Sequence, residues 1–222
     1  MKKLLIIGTG GQGKVVLDCA LLHGIYTDIS FLTNDMQVSQ IAGYPVYYEQ
    51  DVISPSQQGE DIPLAFLQKF DEAIIAIGNN EVRLKKSKQF LDNGISLATL
   101  IHPNATVSKF SEIKMGTVVF ANAVVNPFVK IGMSCIINTG VVVEHDCVVG
   151  DGVHISPNAS VAGTVSIGEK SWICVGSSVA NNINIGANSI IGAGGVVLKD
   201  VPCNVLVAGI PAEVKKYLTV KK

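Results

Sequence analysis

The chain of 222 residues has little of what a polyanion-binding surface needs. Its 17 Lys and Arg are offset by 18 Asp and Glu, charged residues are only 16%, and the formal net charge is −1. No basic run breaks that balance, which argues against a nucleic-acid footprint and against a polybasic membrane patch. Long apolar runs are missing too. The opening "MKKLLIIGTGG" begins like an export signal, but its apolar run stops after four residues at a Gly-rich turn. That is too short to direct export or to cross a bilayer. The five cysteines (Cys19, Cys135, Cys147, Cys174, Cys203) are odd in number and contain no CxxC pair. They are expected to be free thiols in a reducing, cytoplasmic setting.

What the sequence does have is a repeat. Every sixth residue from Ile101 to Val197 is Ile or Val without exception, through Val143, Val149 and Ile155 among others. Ordinary chains do not place branched aliphatics with such regularity. Four positions after each comes a residue that is mostly small, such as Thr117, Ala123, Cys135, Cys147, Ala159, Ser171 and Ser189. A period of six fits neither a helix of 3.6 residues per turn nor a simple alternating strand. It fits a parallel β-helix of the hexapeptide type, in which three steps close a triangular coil of eighteen residues. The branched residues stack inside the prism, and the small ones face inward near the corners. Gly132, Gly150, Gly168 and Gly186 recur at eighteen-residue intervals, as expected of one corner that demands unusual backbone angles. The end of such a stack must be covered, and the tail "PAEVKKYLTVKK" has a helix-forming composition suited to a C-terminal cap.

The first hundred residues follow another rule. A buried strand over Leu4–Ile7 leads into a Gly-rich turn and a helix from about Gln12 to Leu22. Strands over "DISFL" and "EAIIAIG", a helix over "NEVRLKKSKQFLDNG" and a last strand "LATLI" complete a small parallel α/β unit of about four strands. The polar stretch "DVISPSQQGEDIP" is expected to be a surface loop. Ligands bind such sheets at the carboxyl ends of the strands, here near Gly8 to Gly13, Thr33-Asn34 and Gly78. Gly8, Gly10 and Gly13 satisfy G-x-G-x-x-G, whose N–H groups suit a phosphate, although glycines can also serve a tight turn alone. An NAD site would want an acidic residue ending the second strand and about six strands. Here Thr33-Asn34 come first and Asp35 comes late, so a mononucleotide or nucleotide sugar fits better than NAD.

Within the repeat, "VVVEHDCVVGDGVH" carries two of the four histidines. His145 lies two places past Val143 and occupies neither inward slot, so it projects from the prism. Imidazole suits proton removal near neutral pH. Either Asp146 or Glu144 could supply the carboxylate that orients it. Asp146 can reach it only if a corner turns the chain there. His154 also falls outside the inward slots. Zinc needs three or four ligands, and no third clear ligand accompanies these two, so no metal is expected.

The segments "GTGGQGKVV", "AIGNNEVR", "LIHPNATVS", "NTGVVVEHDCVVGDGVHISPNASVAG" and "VAGIPAEVKK" occur in that order. Together they resemble the left-handed β-helix (hexapeptide) sugar acyltransferases, and within them the bacterial acetyltransferases of UDP-4-amino sugars in the bacillosamine pathway, or of sialic acid. The resemblance implies two domains: a Rossmann-like nucleotide-sugar-binding domain over 1–100 and a left-handed β-helix acetyltransferase domain over 101–222. It implies a cytoplasmic homotrimer with acetyl-CoA bound between neighbouring β-helices, and no metal, nucleic acid or membrane. On the family pattern His145 is the general base and Asp146 raises its basicity. His154, Val175 and Ala193, with Gly194 beside it, contact acetyl-CoA. The nucleotide sugar sits on Gly10, Gly11 and Gln12, with Thr33, Asn34 and Gly78 near its base or ribose. Gln12 replaces a usual histidine and Thr33-Asn34 a common acidic pair, so the acceptor is open to difference. The implied activity is N-acetylation of a UDP-4-amino-4,6-dideoxy sugar in bacterial glycan biosynthesis. Rivals are O-acetylation of a sugar or sialic acid, a NAD-dependent oxidoreductase and a non-catalytic binding module.

Overall fold

In a computed structural model the described residues are 2–52 and 62–219. The expected loop over "DVISPSQQGEDIP" therefore lies mostly outside them. The chain divides into two compact units, Met1–Leu100 and Ile101–Lys222.

The first unit is an α/β layer built on β1 (Lys2–Ile7), α1 (Gly11–His23), β2 (Tyr26–Thr33), β3 (Gln40–Ile41) and β4 (Tyr44–Tyr48). Two single-turn helices follow, α2 (Glu49–Val52) and α3 (Leu64–Leu67), then β5 (Glu72–Ile75) and α4 (Asn80–Asp92). The sheet order is β3-β4-β2-β1-β5, with β1 parallel to both β2 and β5. Leu4, Leu5, Ile6 and Ile7 are buried because β1 lies inside the sheet, between β2 and β5, covered on both faces. The sheet holds one strand more than expected. "YPVYY" forms β4, parallel to β2, and then β3 pairs antiparallel along its outer edge. Pro45 in β4 pairs toward that short β3, where a missing donor is tolerated. "LATLI" is not one strand, since Leu97 only bridges to Ala73.

The second unit is a left-handed parallel β-helix. Seventeen two-residue strands, β6 (Leu100–Ile101) to β22 (Val196–Val197), recur every six residues. Each pairs in parallel with the strand eighteen residues away, as Val142–Val143 does with Val124–Val125 and Ser160–Val161. They form three faces: a first beginning with β6, a second with β7 and a third with β8. The second residue of each strand points inward, and Val119, Ile137, Val143, Ile155, Ile173 and Ile191 are fully buried. Each contributes roughly 1.5–3 kcal/mol of transfer free energy. The small inward residues do more than save space. Hydroxyls and thiols of Thr117, Cys135, Cys147, Ser171 and Ser177 donate to carbonyls fifteen residues on, satisfying polar groups inside the prism.

Two expectations are corrected. Gly132, Gly150, Gly168 and Gly186 do not adopt positive φ. A Cβ on Gly150 would lie 2.7 Å from the Glu169 nitrogen of the coil stacked on it, so close backbone approach selects glycine there. The left-handed backbone conformation instead falls on every sixth residue from Gly116 to Gly194, with φ between 54° and 76°. Nine of these fourteen corners carry Gly or Asn, the residues that accept it most readily. The tail is the second correction. Its described residues form no helix but a hairpin, β23 (Val205–Ala208) with β24 (Glu213–Tyr217), which extends the first face. Beta-branched residues and a partner strand at the open edge outweigh helix propensity there.

Candidate active site

The corner between the second and third faces carries the central pair. Val143 ends β13 and points inward, the chain turns through Glu144 to Cys147, and Val148 begins β14. His145 and Asp146 are the two turn residues, and Asp146 takes the left-handed conformation with φ of 59°. That turn swings both side chains outward to the same side. His145 Nδ1 lies 2.8 Å from Asp146 Oδ2, with both side chains 55% exposed. Of the two carboxylates considered, Asp146 is therefore the one that meets the imidazole. A carboxylate accepting from Nδ1–H leaves Nε2 as the outward lone pair, the arrangement a general base requires.

The coil above completes the corner. Its residue Gly163 lies against the imidazole, so closely that a Cβ there would sit 2.7 Å from Cε1 and Nε2. Thr164 N–H donates to the His145 carbonyl at 2.9 Å, and Asp146 N–H donates to the Pro127 carbonyl of the coil below at 3.2 Å. Cys147 points inward and donates its thiol to the Ala162 carbonyl at 3.1 Å. Burial pushes that thiol up from its ordinary pKa, so it is a structural hydrogen-bond donor rather than a nucleophile.

His154 stands on the first face. Asn138 Nδ2 is 3.2 Å from His154 Nε2, and the ring stacks on Trp172. Val175, Ala193 and Gly194 lie at the corner after that face, Val175 half exposed. Triangular geometry then separates the two groups. The corner holding His145 joins the second and third faces and is opposite the face holding His154.

In the N-terminal unit, Gly10, Gly11, Gln12, Thr33, Asn34 and Gly78 all line one cavity of about 680 Å3 at the carboxyl ends of β1, β2 and β5. Gly8 has φ of 109°, and a Cβ there would meet the Ala76 carbonyl. Gly13 is packed against the Gly8 carbonyl. Gly10 and Gly11 have open space around them instead. Gly10 caps α1 without a side-chain hydrogen bond, and no acidic residue occupies the first turn, which leaves N–H donors for an anionic group. The Thr33 hydroxyl is buried, bonded to Thr9 and to the Asp35 N–H, so it braces the wall. Among the described residues no group of three His, Cys, Asp or Glu side chains could hold a metal ion, and no helix is long and apolar enough to cross a membrane.

Residues 3–90 match the PglD N-terminal domain family, and residues 128–163 match the bacterial transferase hexapeptide (six repeats) family. A histidine mutant of perosamine N-acetyltransferase from Caulobacter crescentus, in complex with CoA and GDP-perosamine, is 35% identical. The match covers 96% of this chain and 97% of that one, with a TM-score of 0.87. The acetyltransferase domain of PglB from Neisseria gonorrhoeae, in complex with acetyl coenzyme A, is also 35% identical over 96% and 98%, with a TM-score of 0.84. The chain belongs to the hexapeptide-repeat sugar acetyltransferases. WeeI from Acinetobacter baumannii is similar at 26% identity over 95% and 98%, with a TM-score of 0.82. No curated protein matches by sequence.

Several residues around these features carry no strong signal in sequence. Asp35, Glu49 and Lys86 line the same cavity, and the last two form an ion pair at 2.9 Å. Arg83 is buried on α4, and its guanidinium donates to the Ile77 and Gly78 carbonyls and to Asn80, fixing the loop that bears Gly78. A charged residue on a polar helix gives no hint of burial. Trp172 and Gly163 were findable only by counting eighteen residues on from His154 and His145.

Proposed function

We propose that this enzyme transfers the acetyl group of acetyl-CoA to the amine of a nucleotide-linked amino sugar, of the UDP-4-amino-4,6-dideoxy type, in bacterial glycan biosynthesis. The observation that carries it is the outward His145–Asp146 pair, bonded at 2.8 Å on a corner of a sugar-acetyltransferase fold. His145 Nε2 takes a proton from the amine as its nitrogen attacks the thioester carbonyl. The new C–N bond forms, the C–S bond breaks, and the imidazolium returns the proton to the departing CoA sulfur. Asp146 holds the productive tautomer and stabilises the imidazolium. A backbone N–H holds the developing oxyanion. Gly163 N–H is the available donor at this corner, since it serves no ladder carbonyl among the described residues.

The cavity lined by Gly10, Gly11, Gln12, Asn34 and Gly78 takes the nucleotide. Its volume suits one nucleotide-sized ligand, and relatives of 35% identity were crystallised with GDP-perosamine or with acetyl coenzyme A. The enzyme works as a cytoplasmic homotrimer. His154 stands on the face opposite the His145 corner, and Val175, Ala193 and Gly194 turn off that same face at a different corner, so a shared site takes one group from each of two neighbouring copies.

Mass spectrometry of UDP- and GDP-linked 4-amino sugars and sialic acid, each incubated with enzyme and acetyl-CoA, tests this reading. A mass gain of one acetyl on a nucleotide-linked amino sugar is expected, and exclusive modification of sialic acid hydroxyls would reject it. His145→Ala, folded and of native mass in solution, should lose roughly 10²–10⁴-fold in rate. Undiminished turnover would remove His145 as the base.

A further inference from the structure

We infer that Trp172 is a further positioning residue of the acyl-donor groove: it clamps His154 and offers its outer indole face to the pantetheine arm of acetyl-CoA. The inference rests on the donor-groove assignment of His154. It starts from an oddity of placement. Trp172 is the only tryptophan in the chain, and it stands 42% exposed on the first face of the β-helix. Neighbouring outward positions in the same rungs of the other two faces are Ser160, Ser166 and Ser178. The first face, with His154, Trp172 and Ile190 in one outward row, therefore carries apolar and ring surface where the other two carry serine.

The ring is held rather than loose. Trp172 pairs with His154 across adjacent coils, and their rings stack with centroids 5.8 Å apart and planes 8° from parallel. Indole Nε1–H donates to Ser156 Oγ at 2.8 Å, and Ser156 is itself buried. With its one donor satisfied, and lying between His154 and Ile190 of the adjacent coils, the indole still has 42% of its surface exposed for packing.

The stack also decides how His154 is presented. Thr139 N–H donates to Asn138 Oδ1 at 2.8 Å, which fixes the Asn138 amide. Its Nδ2–H then points to His154 Nε2 at 3.2 Å. An Nε2 that accepts carries no proton, so the neutral imidazole bears its hydrogen on Nδ1. Asn138 therefore sets the tautomer and Trp172 sets the plane. Val175, half exposed one corner further on, continues the same apolar strip towards Ala193 and Gly194. The methylenes of a pantetheine-like chain match a strip of one indole and one valine.

The test uses the full chain. Trp172→Ala should raise KM for acetyl-CoA about tenfold and leave KM for the nucleotide sugar within about twofold. Trp172→Phe, which keeps an aromatic plane, should recover most of the loss. The unmodified enzyme, with its one tryptophan, should show a saturable change in emission on titration with CoA. His154→Ala separates the two levels of inference. If it raises KM for acetyl-CoA while Trp172→Ala does not, Trp172 has no such role and the donor groove stands. If neither substitution changes that KM, the donor-groove assignment falls and the inference with it. Emission that stays constant at saturating CoA also overturns it.

Discussion

Replacing Gly163 by alanine should disable the enzyme while leaving its fold standing. The added Cβ would lie 2.7 Å from both Cε1 and Nε2 of His145, where ordinary contact begins at 3.4 Å. Either the β-helix or the imidazole must give. Gly163 has no positive φ, so alanine brings no backbone strain. The His145 side chain is 55% exposed and can swing into solvent. The ring therefore moves, by about 1 Å, and the coil does not. A displacement of that size at a reacting atom costs on the order of 10²-fold in rate, and rotation away from Asp146 would loosen the 2.8 Å contact as well. The assay is kcat/KM at limiting acetyl-CoA beside a thermal melt and a solution mass. Expected are a fall of about 10²-fold and an unchanged melt. A folded variant within threefold of the native kcat/KM would show that the placement of the imidazole against the next coil is not what sets the rate.

Other consequences follow from the same stacking. Gly150→Ala should behave in the opposite way, because its Cβ would meet the Glu169 backbone nitrogen at 2.7 Å; a melt lowered by many degrees or a loss of soluble protein is expected. Gly176→Ala has open space but φ of 65°, so it should cost only about 1 kcal/mol in denaturant titration. Asp146→Asn keeps a residue that accepts the left-handed corner; kcat should fall while the melt stays put, and an unchanged kcat would show that the carboxylate does not orient the base. Alkaline pH should weaken the fold. Burial, with Asp18 beside it, pushes the Cys19 thiol from 9.0 up to about 12. The unfolded chain then releases this proton first, and stability should decline as pH rises from about 9 towards 12. Burial and Glu72 raise Tyr26 as well, which adds to the decline; a denaturation midpoint flat across that window would refute it.

The hexapeptide period made the prism, its inward columns and the outward place of His145 legible, because each depends only on counting. The cavity at the strand ends was legible for the same kind of reason, since Gly8, Thr33 and Gly78 lie at or just past strand ends. What counting could not reveal was why particular small residues stand where they do. Gly150 reads as a corner glycine of unusual backbone angles in sequence, yet it makes room for a neighbouring backbone, and Gly116 is one of the residues that adopt the left-handed region, with φ of 76°. The difference lies in contacts eighteen residues away. The tail misled for a related reason. Lys215, Lys216 and Leu218 favour a helix locally, but the edge left by β23 offers hydrogen bonds that a helix cannot use.

The corner itself explains why a histidine–aspartate pair can be placed on so regular a scaffold. The branched columns and the small inward residues carry the packing and the internal hydrogen bonds, so the two turn residues of each corner are largely released from the core. One must tolerate the left-handed region, and aspartate does so more easily than most side chains. Asp146 therefore costs the fold little where Phe128, at the equivalent corner one coil below with φ of 65°, sits in a conformation that bulky residues rarely adopt. His145 is free in identity because the preceding turn position has no inward duty. Gly163 in the neighbouring coil makes room for its ring. Moving the pair up one coil, to positions 163 and 164, would keep every inward column intact but set the new imidazole against Asn181 in place of a glycine. On this reasoning the relocated pair should fold and fail to catalyse, and Asn181→Gly should bring the ring, though not the donor groove, back into register.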